Sequence, residues 1–492
     1  RTARATILVE GEWLEAVSGG TREIIDPADG LPLAVVAEGD EKDAEAAVAA
    51  ARRAFDTTNW STDRPLRIRC LEQLHQALTD HREELRELTI AEVGATRTAT
   101  YGHQLDVPVE IVRYYAELLK TYPLTESLPD VDSRGQRHQR WVEKEAAGVV
   151  AAIIPYNYPT QIGLAKLAPS LAAGCTVVLK AAPDTPLITL ALGELIAAYT
   201  DIPPGVVSVL SSSDTAVGEV LTTHSDVDLI TFTGSTATGR RIMAAASRTV
   251  KRIFLELGGK SAMVLLDDGD AGAAALMAAF SVCSHAGQGC AIATRMVVPR
   301  QRHDAVVEQV AGLMGRVVYG DPADPDTYMG PLISQRQRDK VDGMVGRAVA
   351  AGATLVTGGT KVDPGFFYPP TLLSNVDPDS EIAQEEVFGP VLAVIPHDGD
   401  GDAVRIANNS VYGLSGVVFG VDTGRALGVA RRIRSGTISI NGGNFAGPDA
   451  PFGGYKQSGI GREMGVAGLE EFLERKTFAT VVAPSPPHEE VT

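Results

Sequence analysis

Cysteine is scarce in this sequence: four among 492 residues, at Cys70, Cys175, Cys283 and Cys290. They are too few and too dispersed for a disulfide framework. No CxxC pair or Cys/His cluster has zinc-ligand spacing, so no metal site is expected. Reduced thiols in a cytoplasmic compartment are the expected state. Positive charge is short as well: 44 Lys and Arg stand against 62 Asp and Glu, a formal net charge of −18. Such a chain repels a polyanion on average, which argues against nucleic-acid partners. The acidic excess reads as solubility. Residues 1–12 lack an apolar h-region, so no secretory signal is expected. The longest nearly uncharged stretch, 271–289, contains His285 and Gln288. It reads as a buried helix leading into a loop, not as a membrane span. Internal repeats and low-complexity linkers are missing too.

What is present is ordinary for a globular protein, with 44% hydrophobic and 22% charged residues. The length suggests two or three domains with large cores. There are 50 glycines, more than the usual share of about 7%. Without a three-residue period, they point to tight turns and close backbone–ligand approaches.

An irregular lead-in precedes helical patterns at 40–55, 67–89 and 107–122. From Gly148 the texture changes. Short apolar runs at 149–154, 176–179, 206–210, 229–233 and 252–257 alternate with helix-like stretches at 160–173, 186–199, 216–223 and 235–247. This spacing fits βαβ units in a parallel sheet covered on both faces, a doubly wound dinucleotide-binding arrangement. A second series has strand candidates at 262–266, 296–299, 391–395 and 417–419, with helices at 304–316, 335–351 and 403–407. Two extended stretches, 136–144 and 476–482, fit neither core and suggest a hairpin or subunit-edge element. A Pro-rich, acidic end at 484–492 reads as frayed.

Four places could carry chemistry, each with a bland alternative. Cys290 follows Gly287-Gln288-Gly289; it is an exposed nucleophilic thiol at a tight turn, or a buried inert one. Glu256 ends an apolar run before Gly258-Gly259; it is a general base, or a solvated strand end. Phe232-Thr233-Gly234-Ser235, running on to Gly239, is a pyrophosphate cradle at a helix start, or a bare turn, since GxGxxG is absent. Pro155-Tyr156-Asn157-Tyr158-Pro159 offers Asn157 as an oxyanion donor, or as a helix cap.

Together and in this order, these blocks resemble the aldehyde dehydrogenase superfamily. Leu179-Lys180, Ile202-Pro203-Pro204-Gly205, Glu385-Glu386-Val387-Phe388-Gly389-Pro390, Ser435-Gly436-Thr437 with Asn441, and Pro451-Phe452-Gly453-Gly454-Tyr455-Lys456 add to the match. The resemblance covers most of the chain. It implies an α/β fold: a Rossmann-like cofactor domain (1–123 with 147–257), a second α/β catalytic domain (258–458), and a small β-hairpin oligomerisation element with a C-terminal tail (124–146 with 459–492). It implies an NAD(P)-dependent enzyme oxidising an aldehyde to a carboxylic acid, assembled as a homodimer or homotetramer.

By that resemblance Cys290 is the nucleophile, forming a thiohemiacetal and then a thioester. Asn157 and the Cys290 backbone N–H form the oxyanion hole. Glu256 activates the hydrolytic water. Lys180, Pro155, Gly234, Ser235, Gly239, Leu257, Glu386 and Phe388 would hold the cofactor. The substrate entrance would be lined by Tyr156, Tyr158, Gly289, Ala291 and Phe445, which suggests an uncharged aldehyde. One departure concerns the cofactor. Pro183 and then Asp184 stand where NAD-preferring relatives often place a glutamate on the ribose, so NAD is expected with NADP still possible. A second departure is Cys175, read as structural. Two rivals are a CoA-acylating semialdehyde dehydrogenase and a non-catalytic protein that keeps the fold.

Overall fold

The computed structural model describes residues 6–482. The end at 484–492 lies outside the described residues. The structure is α/β, built on two large sheets. The first has the strand order Glu12–Leu14, Ile7–Val9, Val207–Leu210, Thr176–Lys180, Val149–Ile153, Leu229–Thr233, Arg252–Glu256, Gly459–Ile460. Its five central strands are parallel, and the flanking strands Glu12–Leu14, Ile7–Val9 and Gly459–Ile460 pair antiparallel.

The physical reason lies in the residues. Val149–Ile153, Thr176–Lys180 and Leu229–Thr233 are short and apolar, and almost every position is buried. Successive side chains point to opposite faces. Val150, Ala152, Val177 and Leu179 therefore enter one core, while Val149, Ala151, Val178 and Ile230 enter another on the far face. A sheet buried on both faces has no reason to alternate polar and apolar residues.

Chain order reverses about Val149–Ile153: successive strands run outward on one side through Thr176–Lys180 and on the other through Leu229–Thr233. Where such a sheet reverses, the loops leaving its carboxyl ends splay apart and leave a crevice. Here those loops are 154–158 and 234–235.

The second sheet has the order Thr354–Thr357, Thr371–Ser374, Val391–His397, Arg295–Pro299, Ala262–Leu265, Ser415–Phe419, Thr437–Ile440. It surrounds its own core with helices Ala271–Cys283, His303–Met314 and Gln335–Ala350. A third, three-stranded antiparallel sheet joins Thr125–Ser133, Gln136–Ala146 and Leu473–Val481. In it Trp141 stacks on Phe478 at 5.3 Å between ring centroids.

Three local expectations change. The helix expected over 67–89 is two, Arg64–Asp80 and Arg82–Val93. His81 between them has ψ of +14°, outside the helical range, so the axis turns while Leu85 still reaches the core that holds Leu71 and Leu78. The irregular lead-in contains four short strands, of which Ile7–Val9 inserts at the edge of the first sheet. Three residues are too few to show a period. Residues 459–473 lie against the first core, where Leu469 and Phe472 are buried, rather than apart with the antiparallel sheet.

Candidate active site

A groove of about 940 Å³ opens at the chain reversal of the first sheet and runs to the edge of the second. From the first sheet it is lined by Pro155, Tyr156, Asn157, Lys180, Gly234, Ser235 and Leu257; from the other side come Cys290, Glu386 and Phe388. Most of the residues assigned to the cofactor from the sequence therefore converge there.

Ser235 caps helix Thr236–Ala246, its hydroxyl accepting from the Thr238 N–H. That helix start borders the groove, and the positive end of a helix dipole suits a pyrophosphate. Gly234 is packed so tightly on the Phe232 ring that a Cβ would overlap it. Gly239 does not line the groove. A Cβ there would come within 2.7 Å of Leu257, so its bareness lets the helix approach Leu257, which does line the groove. Lys180 Nζ donates to the Ser212 carbonyl at 2.9 Å. Burial pulls its ammonium down to about 8. Glu386 Oε1 accepts from the Gly259 N–H at 2.9 Å, and burial raises its carboxyl above the ordinary range. These donors and acceptors, with cradles that exclude side chains, fit a dinucleotide.

Cys290 is the one cysteine of the four that is not buried. It borders the groove, yet lies so deep that burial pushes its thiol far up, and the Glu386 and Glu256 carboxylates push it further. Beside it, Asn157 is 3% exposed. Its Nδ2 donates to the Gln288 carbonyl at 2.7 Å, two residues before the sulfur. Behind lies Glu256, also 3% exposed, with neither carboxylate oxygen hydrogen-bonded among the described residues. Burial raises its carboxyl well above the ordinary range, and Glu463 raises it further. The solvated strand end is thereby excluded. A Cβ on Gly453 would sit 2.7 Å from Glu256 Oε1, so that glycine keeps the carboxylate unobstructed.

The entrance residues separate. Tyr156 lines the groove and meets Phe388 edge-on at 6.0 Å. Tyr158 lies outside the groove lining and packs edge-on against His285 at 5.3 Å. Gly289 lies against Ile292 with Tyr158 nearby, and Ala291 is half-buried in the same turn. Phe445 is 36% exposed on the loop after Thr437–Ile440 and does not border the groove.

Other contributors escaped the sequence reading. Arg336, Gln337 and Lys340 line the groove from helix Gln335–Ala350. Their polar spacing resembles a solvated helix face, which hid them. Lys166 pairs with Glu463 at 2.9 Å, and both are buried. A lone lysine inside the apolar helix Pro159–Ala173 was the available signal.

One pH dependence follows. The free protein should react slowly with iodoacetamide at Cys290 near neutrality, because its thiol is held protonated. The rate should climb with pH through 9 without a plateau. Glu386→Gln removes a neighbouring charge and should accelerate the reaction at fixed pH, by about tenfold. Mass spectrometry of the labelled cysteine reads this directly; a plateau below pH 8 would contradict it.

Comparison with known proteins agrees with this geometry. The model of the aldehyde dehydrogenase family matches residues 13–478. A betaine aldehyde dehydrogenase of Bacillus subtilis (strain 168) is 38% identical over 480 residues, covering 96% of each chain. A 3-succinoylsemialdehyde-pyridine dehydrogenase of a Pseudomonas species is 38% identical over 477 residues, covering 95% of this chain and 97% of the relative. The solved structure of a betaine aldehyde dehydrogenase from Staphylococcus aureus in complex with NAD+ superposes with a TM-score of 0.93 at 36% identity, over 100% of this chain and 97% of that one. Another crystal of a variant of that enzyme contains NAD+ and a BME-modified cysteine. The chain belongs to the aldehyde dehydrogenase family and is an NAD(P)-dependent enzyme that oxidises aldehydes to carboxylic acids.

Proposed function

We propose that Cys290 is the nucleophile, Asn157 the oxyanion donor and Glu256 the general base. The observation that carries this is the convergence of a groove-facing sulfur, a buried amide tied to the adjoining backbone, and a buried carboxylate without a hydrogen-bond partner among the described residues. Cys290 gives up its thiol proton to solvent as Sγ attacks the aldehyde carbon, leaving a thiohemiacetal oxyanion. Asn157 Nδ2 and the Cys290 N–H stabilise the oxyanion, donors already fixed in place and shielded from water. When bound, NAD+ supplies the two-electron acceptor. Lys180 would hold the adenosine ribose, Ser235 with its helix start the pyrophosphate, and Glu386 the other ribose, with Phe388 and Tyr156 packed nearby. Oxidation leaves a thioester on Cys290. Glu256 takes a proton from water as it attacks that carbonyl; its raised carboxyl is better matched to neutral pH than an ordinary glutamate. The acid leaves and the thiol is restored.

Asp184 borders the groove one residue after Pro183. An acid there disfavours a 2′-phosphate, which supports NAD over NADP. Tyr158 lies near Cys290 outside the groove lining and forms a wall with His285, Gly289 and Ile292, which pack around it. Burial brings His285 down to about 4, so its imidazole is neutral. This wall supports an uncharged aliphatic or aromatic aldehyde. The two large sheets support the division into cofactor and catalytic domains, and the exposed antiparallel sheet supports assembly as a homodimer or homotetramer. Dispersed, unbridged cysteines support a cytoplasmic location.

The test is product analysis over a panel of aldehydes with NAD+ and with NADP+. One carboxylic acid per reduced NAD is expected, with little change on adding CoA. Acyl-CoA as the main product would overturn hydrolysis and the role of Glu256.

A further inference from the structure

Two backbone segments in the left-handed region meet beside the sulfur. His285, Ala286 and Gly287 have φ of +47°, +51° and +73°, and Phe388 has φ of +59°. Side chains such as His, Ala and Phe rarely adopt this conformation, and it persists only where the surroundings over-determine it. The segments abut: a Cβ on Gly287 would overlap the Gly389 carbonyl oxygen.

Each segment is also tied by a glutamine to one stretch of chain, 331–337, that leads into helix Gln335–Ala350. Gln288 is fully buried. Its Nε2 donates to the Pro331 carbonyl at 3.3 Å and the His285 carbonyl at 3.1 Å, and its Oε1 accepts from the Ile333 N–H at 3.0 Å. Its own carbonyl receives Asn157 Nδ2. Six residues beyond Pro331, Gln337 Nε2 donates to the Phe388 carbonyl at 2.8 Å and the Val387 carbonyl at 3.2 Å. Both amides are thus committed to protein carbonyls on opposite sides of the same short stretch.

We infer that residues 331–337 form a brace, and that Gln288 and Gln337 are positioning residues that set the Cys290–Asn157 pair against the Glu386–Phe388 end of the groove. The inference deepens the function proposed above and rests on its assignment of those four residues. The brace makes the register between sulfur and cofactor end a property of the folded chain, present before any ligand arrives. Disturbing one segment should therefore loosen the other, although among the described residues the Gln337 side-chain amide donates to Val387 and Phe388 and not into 284–290.

The test uses the full chain without cofactor or substrate. Gln337→Glu keeps length and shape but presents an acceptor to two carbonyl oxygens. Hydrogen exchange followed by mass spectrometry should show faster exchange at both 386–390 and 284–290, by about tenfold. The iodoacetamide rate at Cys290 should change in parallel. Gln337→Lys, which restores a donor at similar reach, should return both readings toward the parent. Faster exchange confined to 386–390 with unchanged alkylation would overturn the brace. So would a rise spread evenly over the chain, which signals mere destabilisation. Absence of aldehyde oxidation in the parent protein would instead count against the proposed function, while leaving these exchange measurements readable.

Discussion

Replacing Cys290 with alanine is expected to lower NAD+-dependent aldehyde oxidation on the order of 10⁴-fold or more. Without the sulfur there is no covalent adduct, so the oxyanion on the donor carbon never forms and Asn157 has nothing to stabilise. The substitution should leave the fold intact. Cys290 is only half-buried, in a turn between helix Ala271–Cys283 and strand Arg295–Pro299, and the loss of one sulfur opens no cavity in either core. NAD+ binding, measured by titration calorimetry, should be retained, because Lys180, Ser235 and Glu386 are untouched. The other three cysteines are buried, so iodoacetamide should no longer label the native protein. Turnover near the parent rate in Cys290→Ala would end the covalent mechanism outright.

Replacing Glu256 with glutamine should divide the reaction in two. Acylation does not need a base to activate water, whereas deacylation does. In rapid mixing with aldehyde and NAD+, a burst of about one reduced NAD per site should be followed by steady turnover slowed about 10²- to 10⁴-fold. Acid quench at the end of the burst should trap a thioester on Cys290. Burial makes this readable, since glutamine fills the same volume and removes a carboxylate that has no hydrogen-bond partner among the described residues. Loss of the burst together with turnover would place Glu256 before the thioester. Unchanged turnover would leave the hydrolytic step without its base. The same substitution should also raise the iodoacetamide rate of the free protein wherever the Glu256 carboxylate still carries charge, because it is one of the carboxylates that hold the thiol protonated.

How far the sequence reached depended on range. The apolar runs of the first sheet, the buried helix before the nucleophile and the turn chemistry at 155–159 and 232–235 are local patterns, and they appear in the structure within a residue or two. Cys290 and Asn157 sit in turns and Glu256 ends a strand just before one, each place marked by glycines or prolines, so they could be named as candidates. What stayed hidden was relational. Arg336, Gln337 and Lys340 carry the pattern of a solvated helix face, because a groove and open solvent impose the same polarity on a helix. Lys166 and Glu463 lie far apart in the chain and pair only through packing. The strand Ile7–Val9 and the break at His81 are too short to leave a period.

Tyr156 and Tyr158 show the same division most plainly. Two tyrosines flanking Asn157 read alike in the sequence, yet the turn sends one to Phe388 in the groove and the other to His285 outside it. The sequence by itself determined which turns carry reactive groups, since glycine, proline and a strand end act on their immediate neighbours. Only the tertiary structure decided which of those groups share a site, what burial does to their protonation, and which side of the sulfur each neighbour occupies. Those depend on desolvation and on contacts between segments that chain order does not record.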